Sequence, residues 1–388
     1  MAQEQSAILK RKRIGLLFTG DYAWIGGLYY VLNIIKSLNF LDDADKPEIV
    51  IFYSEITPPE IINEISYAYV SFRKLNQKNF LFRGVNKLRR LLFNYNTYFE
   101  RVINSEHLDA IYPFSDYFNK LKLNCPVVYW IYDFQHKYLP ELFSKEEIDK
   151  RNQNFENIAL HAGKIVCSSY DSLNSFRKFY PDSNAELFVL QFVSVIDEQK
   201  ISDFTSIKVK YKIDRPYFIV ANQFWQHKNH IVVLKALTIL INDFPDILIV
   251  LTGKQYDHRN EFYFTSLLNF IKEKRQEKNI IFTDFIPRED QLSLMKNSIA
   301  VIQPSKFEGW STVIEDGKTM NNIIIASDIN VHKEQLKMNK YFFSPDDENK
   351  LAELMRTILL TDKGFAQIHV YNYLQHAKEF AHNFVRIF

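Results

Sequence analysis

At 388 residues, 47% of them hydrophobic and 24% charged, the chain is long enough for two domains with cores of their own and is not disordered as a whole. A net charge of +2, from 48 basic against 46 acidic residues, gives no electrostatic argument for a nucleic-acid partner. Cys125 and Cys167 lack the spacing of a zinc site and read as free thiols in buried strands, which suits a reducing compartment. The opening MAQEQSAILKRKRIGLLFTG is charged where the apolar segment of a signal peptide would run. No stretch approaches the ~20 apolar residues that span a bilayer, so the expectation is a soluble cytoplasmic protein.

Along the chain, short Val/Ile/Leu-rich runs alternate with amphipathic stretches. IGLLFTG (14–20) reads as a first strand, and Gly26-Gly27 lies in the turn before a helical pattern over Leu28–Leu38. The pair is not a GxGxxG fingerprint, so dinucleotide binding is poorly supported, and turn chemistry alone could account for it. Further strands are expected at 48–54, 109–114, 126–133 and 164–169. Between them, Phe82–Ile103 reads as a helix placing Arg83, Lys87, Arg89 and Arg90 beside Leu and Phe. Such a helix is either a core element with a solvated basic face or a contact with an anionic membrane. PVVYWIYD is followed by Asp133 at its end and His136 three residues on; each could serve a site, or be a cap and a core histidine. The polar segment Val195–Ile213 separates two α/β runs, giving expected domains of 1–198 and 199–364.

In the second half, strands are expected at 217–223, 247–254, 279–285, 299–305 and 322–328, with helices over Ile231–Ile241, Glu289–Lys296 and Asn349–Leu360. Lys228 follows the first of these strands, just before a helix, and is either solvated or aimed at a phosphate. LTGK and FIPRED follow the next two. After the fourth comes FEGWSTVIEDGK, with Glu308 in a loop, Gly309 beside it and Glu315 in what reads as a first helical turn. Thr312-x-x-Glu315 fits a capping box. The same residues could instead seat a nucleotide sugar, with phosphate on the helix amides and carboxylates on sugar hydroxyls. Asp346-Asp347 reads as a helix start, and no metal site is expected. The tail, 365–388, reads as one helix. Continuous apolar strands alternating with helices imply parallel sheets covered on both faces, and ligands in such sheets sit beyond the strands' carboxyl ends.

The FEGWSTVIEDGK stretch resembles the double-glutamate motif of retaining family-four glycosyltransferases (glycosyl transferases group 1). That resemblance implies the GT-B fold: two Rossmann-like doubly wound domains facing across a cleft, with the C-terminal helix packing back on the first. It implies Glu308 near the transferred sugar and Glu315 on the ribose, although six residues separate them and the family's motif has seven. Lys228 matches the family's diphosphate lysine, with Gln223 where an arginine is usual. Gly26-Gly27, Gly309, Trp310, Ser311 and Thr312 fall at donor-binding positions. The family's strand-end histidine is replaced by Tyr132, leaving Asp133 and His136 as candidates with Glu308 for the reacting centre. The implied activity is a metal-independent hexosyl transfer, from a nucleotide-diphosphate sugar to a glycan, lipid-linked or small-molecule acceptor in bacterial polysaccharide or glycolipid synthesis. No further cofactor is implied. Two rivals stay open, a GT-B sugar-nucleotide epimerase and an inactive GT-B binding protein.

Overall fold

The computed structural model describes residues 10–20, 25–75, 97–117, 121–361 and 371–388. Two all-parallel sheets are built in turn along the chain. The first has strands β1 (Arg13–Phe18), β2 (Glu48–Tyr53), β3 (Val70–Lys74), β4 (Ala110–Phe114), β5 (Val127–Ile131), β6 (Lys164–Cys167) and β7 (Glu186–Val189), in the order β3-β2-β1-β4-β5-β6-β7. The second has β8 (Tyr217–Ala221), β9 (Leu248–Thr252), β10 (Ile280–Asp284), β11 (Val301–Gln303), β12 (Ile324–Ser327) and β13 (Phe342–Phe343), in the order β10-β9-β8-β11-β12-β13. Central strands such as β8 and β9 are buried along their whole length, which is why their sequence runs apolar without alternation. Strands β3, β7 and β13, which the sequence reading passed over, are edges; VSFRK and ELFV are largely half-exposed and carry charge.

Strand order reverses between β1 and β4 in one sheet and between β8 and β11 in the other. Those reversals splay the following loops apart and open a crevice at the carboxyl ends. Helix Tyr373–Arg386 returns to the first sheet, where Ala377, Phe380, Ala381 and Phe384 join the core around Ile14, Leu32 and Tyr112. The expected tail helix is thus shorter at its start: Tyr371 and Asn372 precede it, with Asn372 as its cap, and 365–370 lie outside the described residues. The same holds for most of the basic helix at 82–103. Arg83, Lys87, Arg89 and Arg90 lie outside the described residues, and Thr97–Asn104 is helical. Among the described residues no helix is long and apolar enough to cross a membrane. Cys167 ends β6, whereas Cys125 sits half-buried in the bend before β5, not in a strand; both are free thiols.

Candidate active site

The carboxyl ends of the two sheets enclose a cleft of about 400 Å³. From the first sheet come Gly26 and Tyr29 of the Ile25–Leu38 helix, then Tyr132 and Asp133 beyond β5, and Arg151. From the second come Gln223 and Lys228 after β8, Arg288 after β10, and Glu308 after β11.

The charged groups in this cleft are paired. Lys228 Nζ donates to Glu308 Oε1 at 2.6 Å, and Gln303 Nε2 donates to the same oxygen at 2.9 Å. Lys228 is placed by a short 3-10 turn that ends at Asn229 in the left-handed region, φ 59°. Asparagine tolerates that conformation. Its Nδ2 donates to the carbonyls of Pro304 and Pro345, tying the turn to the loop that carries Glu308. Arg288 grips Asp316 with both terminal nitrogens, Nη1 to Oδ2 at 2.6 Å, and Ser194 Oγ donates to the same carboxylate. Asp133 lies 3.6 Å from Arg151 and accepts from the Gln135 amide. Burial pushes the Asp133 carboxyl above its ordinary range, against the pull of Arg151.

The Thr312–Thr319 helix decides which motif residues meet the cleft. Successive residues on a helix are about 100° apart, which turns Asp316 to the side of Thr312 and Val313 and Glu315 away from it. Thr312, Val313 and Asp316 line the cleft. Glu315 points to the far side, fully buried, accepting from Lys318 Nζ at 2.9 and 3.0 Å and from Gln335 Nε2 at 2.9 Å. Burial raises its pKa, with Lys318 opposing. The assignment of Glu315 to the cleft is therefore corrected to Asp316. Seven residues separate Glu308 from Asp316, the spacing of the family motif, with aspartate in the second place. A fixed step of eight from Glu308 was the signal available in the sequence.

The capping-box alternative also changes form. Ser311, not Thr312, caps the helix, its Oγ accepting from the Ile314 amide. The Ser311 amide is already given to Gln335 Oε1 at 3.0 Å, so it is not free for an anion. Trp310 turns away from the cleft as well: its indole donates to the Phe192 carbonyl at 2.9 Å and its ring packs on the first sheet's core. Gly309 does line the cleft, but its missing side chain serves a contact between sheets. A Cβ there would stand 2.0 Å from the Tyr132 carbonyl oxygen.

His136 is a core histidine. It lies 1% exposed among Phe134, Phe143 and Phe155, with Nε2 3.1 Å from Asn152 Oδ1, and burial pushes its pKa down to about 4. Gly27 is buried inside its helix, whereas Gly26 opens to the cleft with nothing within 4 Å of a Cβ. Gln223 reaches the cleft with its side-chain oxygen already accepting from Trp225 Nε1 at 2.8 Å. Two histidines flank Lys228: His227 lines the cleft and is held neutral by burial, while His230 stacks on Phe224 in the core. Asp347 caps the Glu348–Leu360 helix through the Lys350 amide.

Two parallel doubly wound sheets with their ligand-bearing loops facing each other across a cleft define a GT-B protein. Residues 203–374 match the family model Glycosyl transferases group 1. That match lies in the second half of the chain, within a GT-B fold that covers the whole of it. An O-antigen chain mannosyltransferase, RfbU, of Salmonella typhimurium is 23% identical over 194 residues; the match spans 50% of this chain and 50% of that relative. Among solved structures, Anabaena Alr3699/HepE in complex with UDP-glucose superposes with a TM-score of 0.68 at 14% identity, covering 97% of this chain and 98% of that one. WaaG, a glycosyltransferase involved in lipopolysaccharide biosynthesis, gives 0.62 at 12% identity, with 95% of both chains covered.

Proposed function

We propose that the protein is a retaining, metal-independent glycosyltransferase that moves a sugar from a nucleotide-diphosphate donor to an acceptor hydroxyl in polysaccharide or glycolipid synthesis. The observation that carries this reading is the pair of carboxylates Glu308 and Asp316, at family spacing, on one wall of the interdomain cleft beside Lys228. Asp316 takes the ribose hydroxyls, in place of the glutamate expected at 315. Lys228 neutralises the diphosphate, a charge-assisted contact suited to a developing leaving group. Glu308 lies by the transferred sugar. Gly26 and the Asp133 region face the acceptor. In the step itself the anomeric carbon–oxygen bond to the diphosphate breaks. The acceptor oxygen bonds on the same face, and its proton passes to the leaving phosphate. Closure of the two domains excludes water from that exchange.

Support comes also from the similar proteins: the HepE structure is a complex with UDP-glucose, and RfbU is an O-antigen chain mannosyltransferase. With Asp316 read as the second carboxylate the motif keeps the family's spacing, which weighs against an inactive binder. In this reading the reaction is cytoplasmic, beside the membrane where the acceptor is lipid-linked. The test is donor turnover by mass spectrometry across a panel of sugar nucleotides, with chelator and with candidate acceptors, on the native chain and on Glu308→Gln. Transfer with chelator present, lost in the variant, is the expected result. A changed donor sugar without acceptor would assign an epimerase, and no turnover of any donor would assign a binding protein.

A further inference from the structure

Among the described residues, three cations and three acids line the cleft, and they are not all engaged alike. Lys228 donates to Glu308 and Arg288 grips Asp316, so two of the pairs are closed by short hydrogen bonds. The third pair is loose. Arg151 stands 3.6 Å from Asp133, beyond hydrogen-bond reach, and its guanidinium donates to no described residue. Of its nitrogens only Nη1 is sealed from solvent. The side chain as a whole is 29% exposed, against 20% for Lys228 and 16% for Arg288.

The helix Lys145–His161 explains how an arginine comes to stand there. Arg151, Phe155 and Ile158, at spacings of four and three, fall on one face. Phe155 and Ile158 are buried in the first sheet's core, and at Arg151 the same face meets the cleft. The guanidinium lies 4.9 Å from the Phe143 ring and 5.8 Å from the Tyr132 ring, walls that place it without using its N–H donors. A planar fork of such donors matches an oxyanion, which two of them take at once. The neighbouring Arg259 offers no second fork. It is 6% exposed between Phe143 and Trp225, with Asp257 at 3.8 Å. Asp133 is the acid beside Arg151; it accepts the Gln135 amide and is 22% exposed, so it keeps room for a hydroxyl.

We infer that Arg151 holds an oxyanion of the acceptor, making the acceptor a saccharide that bears a phosphate or a carboxylate, with Asp133 accepting a hydroxyl beside it. The inference rests on the proposed reading of the cleft, in which the donor's diphosphate goes to Lys228 on the facing wall. Arg151 is then the group that selects an anionic acceptor over a neutral one.

The test is calorimetric titration of the full chain with glucose, mannose and galactose, their 1- and 6-phosphates, and their uronic acids. Each is run with and without the tightest-binding of UDP, GDP, ADP and TDP at saturation. With nucleotide in place, the phosphates or the uronates should bind about tenfold or more tighter than the neutral sugars, the scale of hydrogen bonds to a charged group. The favoured series names the oxyanion. Arg151→Gln should abolish the preference and Arg151→Lys keep part of it, while Asp133→Asn, which removes the repelling charge, should strengthen anion binding severalfold. No anion preference in the native chain would overturn the inference, as would a preference that survives in Arg151→Gln. If that variant does not fold, an unaltered preference in both Arg151→Lys and Asp133→Asn would overturn it equally. Loss of nucleotide affinity in Arg151→Gln without change in sugar preference would move Arg151 to the donor and sink the acceptor assignment. Anion binding that depends on Arg151 in a chain that takes no nucleotide would keep the Arg151 site and remove the reading of the cleft.

Discussion

The two sides of the Thr312–Thr319 helix each present a carboxylate clasped by a cation, and only one of the two lines the cleft. On one side Asp316 is held by Arg288 at the rim of a cleft where Lys228 and Glu308 also meet. On the other, Glu315 is held by Lys318 and Gln335, away from that cleft. Both carboxylates are fully buried and both are paired. Burial and pairing therefore do not tell a donor site from a structural pair. What separates them is which groups share the side, and that is set by one residue of helical rotation.

That contrast is sharpest under substitution. The largest effect is expected at Glu308: replacing it with glutamine should lower sugar transfer on the order of a hundredfold, the scale for one preorganised electrostatic contact, with nucleotide affinity little changed. Next comes nucleotide affinity itself. Asp316→Ala should cost about 1.5–3 kcal/mol of binding, the range for hydrogen bonds to a charged group, while Glu315→Gln should leave it within experimental error. Gly309→Ala drives a methyl into the Tyr132 carbonyl; thermal unfolding should report a loss of about 1–3 kcal/mol, as for overpacked sites.

His136 supplies a pH test of the aromatic pocket next to the cleft. Its folded pKa, about 4, lies below the unfolded value near 6.5. The unfolded chain thus binds more protons between those limits, so the His136 contribution to stability is full above about pH 6.5 and is lost as pH falls toward 4. His136→Phe should flatten the stability–pH curve in that window by up to about 1.4 kcal/mol per pH unit. The smallest effect is expected at Gly26→Ala, where a Cβ meets open space and stability measured by denaturant should shift by under ~0.5 kcal/mol.

Much of the architecture was legible because buried parallel strands announce themselves by continuous apolar runs; β8, β9 and β12 lie where the sequence places them. Of the edge strands, β10 is marked by its apolar IIF run, whereas β3 and β7 escape because they are half-exposed and carry charge, and β13 because it is only two residues long. Positions after strands were equally legible: Lys228 and Glu308 stand together in the cleft since both follow strands at a point of order reversal. The helix was harder to read. Glu315 matches the family's residue type and Asp316 its spacing, and only the face of the helix separates the two. Trp310 and Ser311 were assigned to the donor by position along the chain, but their polar groups had partners from distant segments, Phe192 and Gln335. Arg288 went unmarked for a related reason: its role exists only through Asp316, 28 residues away.

The most direct measurement is calorimetric titration of the native chain, Asp316→Asn and Glu315→Gln with UDP, GDP, ADP and TDP, each with and without magnesium. The account predicts that one nucleotide binds, without regard to metal, more weakly in Asp316→Asn and as tightly as native in Glu315→Gln. Equal affinity in Asp316→Asn with loss in Glu315→Gln would contradict it, and would return the ribose to the far side of the helix.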